Sequence, residues 1–220
     1  MILVAAHPDQ LRIYEIFFSL QGETRTVGLP TVFVRLSGCP LRCQYCDTEY
    51  AFSGGDWLGL DEIVDKVAGF AARYVTVTGG EPLAQKHCND LLVKLCDAGY
   101  EVSVETSGAM SVAKMDSRVV KVMDLKTPAS GEMEKNLYEN MEYLDPKDQV
   151  KFVICDQQDY EWSCAMLEKY QLAERCEVLF SASHGALEER QLADWILRDN
   201  LPVRMQIQLH KYLWGNEQGR

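Results

Sequence analysis

Short runs of β-forming residues alternate along the chain with longer segments of helical apolar spacing. Because successive side chains of a strand point to opposite faces and those of a helix repeat every 3.6 residues, the two patterns can be distinguished. Strands are predicted over residues 31–37, 74–78, 101–106, 119–125, 149–155, 177–183 and 203–210. Helices are predicted over residues 59–72, 87–98, 158–170 and 186–199, with less regular helical spacing over 131–144.

This alternation predicts an α/β fold in which a parallel sheet carries its helices on the outside. No repeat, low-complexity stretch or linker divides the chain, so we expect one domain over residues 1–220. Six or seven strand–helix units fall short of a closed eight-unit barrel, which takes about 250 residues. The sequence therefore predicts an incomplete (βα) barrel, with an open doubly wound sheet as the alternative.

Two predicted strands carry polar faces. In TVFVRLS one face holds Phe33, Arg35 and Ser37, and a mid-strand arginine is costly to bury unless it meets an anion. In VRMQIQLH one face consists of polar residues, namely Arg204, Gln206, Gln208 and His210. These faces would line the lumen of a partial barrel and suit a polar ligand, whereas the alternative for the last strand is a solvated sheet edge.

The overall charge narrows the range of partners. The chain of 220 residues has 22 basic and 33 acidic side chains, a formal net charge of −11. This balance argues against nucleic-acid binding, which draws on clustered Lys and Arg. No apolar run approaches the roughly 20 residues of a membrane helix, and the first ten residues lack a basic leader. We therefore expect a soluble cytoplasmic protein without nucleic-acid or membrane partners.

Three of the eight cysteines lie together, Cys39, Cys43 and Cys46, in a C-x3-C-x2-C spacing. Clustered cysteines in a reducing compartment favour metal or redox chemistry. Structural zinc would need a fourth ligand, and no second C-x2-C pair exists. Three thiolates instead suit a [4Fe–4S] cluster with one open iron. The scattered cysteines are interpreted as small buried hydrophobes, with an auxiliary cluster from the last three as the alternative: Cys88, Cys96, Cys155, Cys164 and Cys176.

Three further motifs follow predicted strands. GGEP begins at Gly79, ETSG covers residues 105–108, and DLKTP covers residues 124–128. Glycines at the end of a strand let the backbone approach a ligand, and (βα) barrels hold their sites at the carboxyl ends of the strands. We therefore expect one shared site at this edge.

The cysteine triplet, the aromatic-flanked Cys46-Asp47 and GGEP together resemble the radical S-adenosylmethionine (SAM) superfamily. Within it, EIFFSLQGE, TVFVRLSGCPLRCQYCDT, VTGGEP, ETSG, DLKTP and QLHKYLWGN resemble the 7-carboxy-7-deazaguanine synthase family, from Glu15 to about Asn216. That resemblance implies a [4Fe–4S] cluster whose open iron chelates SAM, Mg²⁺, and a homodimer served by a flavodoxin- or ferredoxin-like electron donor. It implies ring contraction of 6-carboxy-5,6,7,8-tetrahydropterin to 7-carboxy-7-deazaguanine with release of ammonia, on the pathway to queuosine.

The resemblance also assigns residues. Cys39, Cys43 and Cys46 would hold the cluster, Thr48 would bind Mg²⁺ through its hydroxyl, and Arg35, Glu81 and Lys126 would serve catalysis. The residues implied to bind the pterin are Leu20, Gln21, Gly22, Arg35, Thr106 and His210. Those implied to border SAM are Tyr45, Cys46, Asp47, Gly79, Gly80, Glu81, Gly108, Asp124, Leu125, Lys126, Ser181, Ala182, Ser183 and His184. The chain departs from the family at Asp124-Leu125, where relatives carry Ser-Pro, and at residues 181–184.

Two other functions are compatible with the cysteine triplet. An activating enzyme that places a glycyl radical on a partner protein would need a protein-docking groove. An electron-transfer iron–sulfur protein would need a fourth protein ligand to its cluster. The loop SLQG and Arg35 favour a small carboxylated substrate instead.

Overall fold

The structure, a computed structural model, describes residues 9–215 and 217–219. Residues 1–8, which include most of the segment expected to lack a leader, lie outside the described part. One nine-stranded sheet runs through the chain in the order β3-β1-β2-β4-β5-β6-β7-β8-β9. Its strands are β1 (Gln10–Leu20), β2 (Pro30–Leu36), β3 (Asp56–Gly59), β4 (Tyr74–Gly79), β5 (Glu101–Thr106), β6 (Val120–Asp124), β7 (Gln149–Ile154), β8 (Glu177–Ala182) and β9 (Arg204–Gln206).

The helices follow the strands. They are α1 (Leu60–Ala68), α2 (Cys88–Asp97), α3 (Gln157–Lys169), α4 (Leu172–Arg175), α5 (Glu189–Arg198) and α6 (Leu209–Trp214). Their local sequence explains them: α1 buries Leu60, Ile63 and Val67 on one face, and the Asp156 side chain caps α3 by accepting the Asp159 N–H. None of the helices that the structure describes is long and apolar enough to cross a membrane.

The strands β2 and β4 to β9 are parallel, whereas β1 pairs antiparallel with both β2 and β3. Within the described residues β3 and β9 form the two edges, so the sheet stays open. The prediction of six or seven parallel units without barrel closure is confirmed.

All the long helices pack on one face of the sheet. Register places Val34, Val77 and Val104 side by side, and these pack in one core cluster with side chains of α1 and α2. The same face continues through Phe152 and Phe180, which pack in a second cluster with α3 and α5. A doubly wound sheet would carry helices on both faces. The one-sided arrangement is that of an incomplete barrel, and the opposite face is left for a ligand.

Two predicted elements need correction, and two strands were not predicted. The last predicted strand, 203–210, ends at Gln206, and the chain turns into α6 at Leu209. The 131–144 segment forms short 3-10 turns, because the side chains of Asn136 and Asn140 bond loop backbone that a helix would not reach. The strands β1 and β3 were not predicted. The antiparallel β1–β2 hairpin extends the sheet beyond its parallel part and carries the SLQG loop.

Candidate active site

A cavity of about 690 Å³ lies on the face of the sheet opposite the helices. The strands contribute mainly polar side chains, four of them near carboxyl ends and Lys151 in the middle of β7: Arg35, Thr78, Glu105, Asp124 and Lys151. The cysteine loop, the SLQG loop and α6 complete the wall. The expectation that several strand ends share one site agrees with this arrangement.

Cys39, Cys43 and Cys46 all line this cavity, in the loop after β2, and all are free and half-buried. The Cys39 sulfur accepts a hydrogen bond from Leu41 N at 3.4 Å, and Cys46 N donates to Cys43 O at 3.2 Å. Burial raises the pKa of each thiol, that of Cys43 to about 11, while the Lys126 ammonium acts in the opposite direction. A bound cation would therefore be needed to hold all three as thiolates.

The chemistry of this donor set fits a [4Fe–4S] cluster. In the described part of the chain no three His, Cys, Asp or Glu side chains converge on a single metal ion. A zinc ion requires such convergence, whereas each cysteine of an iron–sulfur cube binds a different iron, so the sulfurs stay apart. The loop thus provides three ligands in a geometry unsuited to structural zinc.

Lys126 and Asp124 lie beside the cysteine loop. Lys126 Nζ pairs with Asp124 Oδ2 at 3.2 Å and lies 5.9 Å from the centre of the Tyr45 ring. Asp124 Oδ2 also lies 3.5 Å from Lys151 Nζ, and Asp124 Oδ1 is buried without a hydrogen-bond partner among the described residues. An acceptor facing the cavity between two cations suits hydroxyl or ammonium donors of a ligand. Asp124, Lys126 and Tyr45 remain predicted SAM contacts.

Arg35 meets an anion, as its mid-strand position requires, but that anion belongs to the protein. Its Nε donates to Glu15 Oε1 at 2.7 Å across the β1–β2 pair. Glu15 could not be identified as this partner from the sequence, because the pairing depends on the register of a hairpin that was not predicted. Arg35 also lines the cavity, so its role in binding substrate stays a prediction.

The SLQG loop lies across the polar face of the sheet. Gln21 is buried, and its amide nitrogen donates to Thr76 Oγ1 at 3.2 Å and to Glu105 Oε1 at 3.3 Å. The neighbouring Glu23 pairs with Lys151 Nζ at 2.7 Å. Leu20, Gln21 and Gly22 line the cavity, and they remain predicted pterin contacts. Glu23, Glu105 and Lys151 were missed; a lysine in the middle of QVKFVIC was the available signal, by the reasoning already applied to Arg35.

Glu81 lies behind the cavity wall. Its buried carboxylate accepts hydrogen bonds from Leu83 N at 3.0 Å, Thr106 Oγ1 at 2.9 Å, Ser107 N at 2.7 Å and the Ser107 hydroxyl. These donors account for both oxygens, and Glu81 does not line the cavity. Glu81 thus holds the ETSG turn in place, and its contact with the SAM amino group stays a prediction. Thr106 lines the cavity but directs its hydroxyl to Glu81.

Four other predicted SAM residues also lie outside the cavity wall: Gly108, Leu125, Ser181 and Ala182. Leu125 and Ala182 belong to the apolar core, and Gly108 turns the chain at a φ of +73°. Any ligand contact at Gly108, Leu125 and Ala182 would come from backbone atoms, whereas the buried Ser181 hydroxyl has no hydrogen-bond partner among the described residues. The remaining predicted SAM residues do line the cavity: Tyr45, Cys46, Asp47, Gly79, Gly80, Asp124, Lys126, Ser183 and His184.

Thr48 and Asp47 lie at the mouth of the cavity near α6. The Thr48 hydroxyl donates to Asp47 Oδ1 at 2.8 Å, and Lys211 Nζ lies 3.2 Å from Asp47 Oδ2. Burial alone would raise the pKa of Asp47, but Lys211 and the Thr48 hydroxyl outweigh it and the pKa is lowered. An ionised carboxylate beside a hydroxyl suits Mg²⁺ when substrate and water oxygens complete the shell.

His210 closes the cavity beside Gly22. A Cβ atom at Gly22 would lie 2.6 Å from His210 Nδ1, so only glycine allows this approach. Gln208, on the same turn, donates to Glu23 Oε1 at 3.0 Å. Of the predicted polar face of the last strand, Gln208 and His210 line the cavity, through a turn and a helix, whereas Arg204 and Gln206 on β9 do not.

Known proteins resemble this chain in sequence and in fold. The model of the radical SAM superfamily matches residues 33–173. The 7-carboxy-7-deazaguanine synthase of Chlorobaculum tepidum is 44% identical over 208 residues, covering 93% of this chain and 94% of that protein. That of Koribacter versatilis is 40% identical over 222 residues, covering 94% and 98%. The crystal structure of QueE from Escherichia coli matches with a TM-score of 0.75 at 22% identity, over 91% of this chain and 95% of that one. This last likeness concerns the fold.

The one-sided open sheet, the cysteine loop and the family match define a member of the radical SAM superfamily. Membership implies a [4Fe–4S] cluster and SAM. Since its relatives are similar over nearly the whole length of both chains, the protein belongs to the 7-carboxy-7-deazaguanine synthase family.

Proposed function

We propose that the protein converts 6-carboxy-5,6,7,8-tetrahydropterin to 7-carboxy-7-deazaguanine with release of ammonia, in the biosynthesis of queuosine or related 7-deazapurines. The observation that carries this proposal is one cavity lined both by the three cysteines and by Arg35. Radical chemistry started at a bound cluster would have to be kept from solvent, and a cavity shared by the cysteines and Arg35 would hold the substrate beside the cluster.

The residues that line the cavity form two groups, one for the cluster and one for the substrate. Cys39, Cys43 and Cys46 would hold the cluster, with Lys126 and Asp124 beside it. When bound, the cluster supplies the electron that cleaves SAM and so starts hydrogen abstraction. Arg35 would bind the substrate carboxylate, while the SLQG loop and His210 exclude water from the ring.

The reaction balances without a net oxidant, because product and ammonia together have the composition of the substrate. The chain therefore needs only to orient the pterin and to shield its radical from solvent. The polar lumen suits this task, since Glu105, Lys151 and Asp124 offer both acceptors and donors to a pterin ring.

The proposal includes Mg²⁺ at Thr48, with Asp47 adjacent and substrate oxygens completing its coordination. It also includes a small reducing protein as electron donor and a homodimer, both of which rest on the family resemblance. The glycyl-radical alternative gains no support, because the lining of the cavity includes the cations Arg35 and Lys151, which suit a small carboxylated substrate.

Anaerobic turnover tests the proposal. The reconstituted protein is incubated with SAM, a reductant, Mg²⁺ and the carboxylated tetrahydropterin, and products are separated by mass spectrometry. We expect 5′-deoxyadenosine or regenerated SAM together with a product lighter than the substrate by one ammonia. Cleavage of SAM without a deazaguanine product would contradict the substrate assignment and leave the superfamily assignment intact.

A further inference from the structure

Arg35 is held through one of its three nitrogen atoms. Its Nε donates to Glu15 Oε1 at 2.7 Å, and the Tyr50 hydroxyl reaches the same oxygen at 3.3 Å. Among the described residues the hydrogen bonds of Arg35 run through Nε alone. The two Nη atoms therefore keep their donors for another acceptor.

Aromatic rings fix the plane of this guanidinium. Its Cζ lies 5.6 Å from the centre of the Phe17 ring and 5.8 Å from that of Tyr50. Phe17 stacks in turn on Phe33, with ring centres 5.0 Å apart. Arg35, Phe17, Phe33 and Tyr50 all line the cavity, whereas Glu15 does not. Glu15 thus holds Arg35 from behind, and the open end of the guanidinium faces the cavity.

We infer that Glu15 is a positioning residue that orients Arg35 so that its Nη atoms bind the carboxylate of the substrate end-on. A guanidinium presents its donors as a rigid fork, so a carboxylate fixed at Nε determines where the Nη pair points. Glu15 also keeps the buried cation paired before substrate arrives. This inference rests on the proposed function and deepens it.

The arrangement would also select for carboxylated pterins. The Arg35 side chain is only 15% exposed, so a bound pterin without the carboxylate would cover the two Nη donors and leave them without an acceptor, which carries a penalty. If Glu15 instead competed with the substrate for Arg35, its removal would strengthen binding. The two roles therefore predict opposite changes in KM.

Variants of Glu15 distinguish these roles by the effect on KM and kcat for the carboxylated tetrahydropterin. Glu15→Ala removes the acceptor, Glu15→Asp keeps the charge but withdraws it by one methylene, and Glu15→Gln keeps an oxygen at the same place. We expect KM to rise about tenfold or more in Glu15→Ala and Glu15→Asp, which is about 1.4 kcal/mol for each factor of ten. In Glu15→Gln both constants should stay within about threefold of the wild type, because an amide oxygen still accepts from Nε.

Glu101→Gln is the matched control, since it removes the carboxylate from an exposed Arg73–Glu101 pair at the amino ends of β4 and β5. Its KM should equal that of the wild type. Iron content and SAM cleavage without substrate show that each variant is intact. If Glu15→Ala does not fold, Glu15→Asp decides, because it keeps the ion pair's charge.

A KM in Glu15→Ala or Glu15→Asp at or below that of the wild type would overturn the inference while the proposed function stands. Failure of Glu15→Gln to rescue KM would also overturn it. Absence of a deazaguanine product from the wild-type protein would contradict the proposed function itself, and this inference with it.

Discussion

Partly buried charges in this protein are matched by partners on neighbouring elements, and each pairing places at least one side chain in the cavity. Arg35 is paired with Glu15 on the adjacent strand, and Lys151 with Glu23 on the SLQG loop. Burial of an unpaired ion would cost several kcal/mol, so these partners determine the positions at which the cationic side chains are stable. At the scale of single residues, the electrostatics that make the sheet stable also build the site.

Glu81 gives a residue-scale prediction. Because Glu81 accepts hydrogen bonds from four donors in a buried site, Glu81→Ala would leave those donors unpaired. We expect the free energy of unfolding to fall by about 3 kcal/mol, measured by urea denaturation of the apo protein. Glu81→Gln should lose less, since it keeps an acceptor. A loss below about 1 kcal/mol in Glu81→Ala, combined with a raised KM for SAM, would instead favour direct contact with the cofactor.

At the scale of elements, backbone contacts between loops fix the cysteine loop at the edge of the cavity. The GGEP turn and the cysteine loop touch through their backbones: Gly80 N donates to Leu36 O at 3.2 Å and Glu81 N to Gly38 O at 2.9 Å. A Cβ atom at Gly80 would lie 2.3 Å from Gly38 O. Backbone cannot move away as a flexible side chain can, so glycine is required at this contact.

Gly80→Ala should therefore displace the cysteine loop and prevent stable binding of the cluster. We expect the reconstituted variant to lose most of its iron and its absorbance from the cluster, while its secondary structure persists. Gly59→Ala is the control, because nothing lies within 4 Å of a Cβ atom there and its φ is ordinary. Full iron content in Gly80→Ala would contradict the close contact of these two loops.

The Lys151–Glu23 pair attaches the SLQG loop to β7 and predicts a dependence on pH. Burial opposes both charges, but their mutual attraction outweighs it, so the pKa of Glu23 is lowered and that of Lys151 is raised well above its usual value. The contribution of Glu23 is complete above its unfolded pKa of 4.5 and is lost as pH falls through its lower folded value. That of Lys151 is complete below 10.5 and is lost only at higher pH.

The stability advantage of the wild type over Lys151→Met should thus stay constant from about pH 5.5 to 9 and shrink in more acidic solution. Removing one partner of a buried pair costs about 3–5 kcal/mol, so the plateau should lie in that range. Denaturant titrations across pH give this difference. An advantage that changes steadily between pH 6 and 8 would show that another group controls the loop.

At the scale of the whole molecule, periodicity predicted the parallel part of the sheet well. The bounds of β5 match the prediction, those of β4, β7 and β8 differ by one residue at one end, and those of β2 and β6 differ by one residue at each end. The pattern did not give the β1–β2 hairpin, and it could not give the turn into α6, because that turn contacts the distant SLQG loop through Leu209 N and Gly22 O. In the site, the cysteine motif and Arg35 were readable from the sequence. Glu15 and Glu23 were not, since each takes its role from a cation on another element, whereas Lys151 was readable as a mid-strand cation but was missed.

At this scale the net charge of −11 affects how an anionic substrate can bind. A protein this acidic repels an anionic substrate at long range, so recognition of a carboxylate depends on cations fixed inside the cavity. Among the described residues that line the cavity, Arg35, Lys126, Lys151 and Lys211 are such cations, and each is already paired with a carboxylate of the protein. Binding therefore depends on which donors these pairs leave free.

The most direct test is a crystal structure of the anaerobically reconstituted protein with SAM and 6-carboxy-5,6,7,8-tetrahydropterin bound. The account predicts the cluster on Cys39, Cys43 and Cys46 and the pterin carboxylate within hydrogen-bond distance of both Nη atoms of Arg35, with Nε still on Glu15. A pterin bound elsewhere, or a carboxylate that displaces Glu15 from Nε, would contradict it.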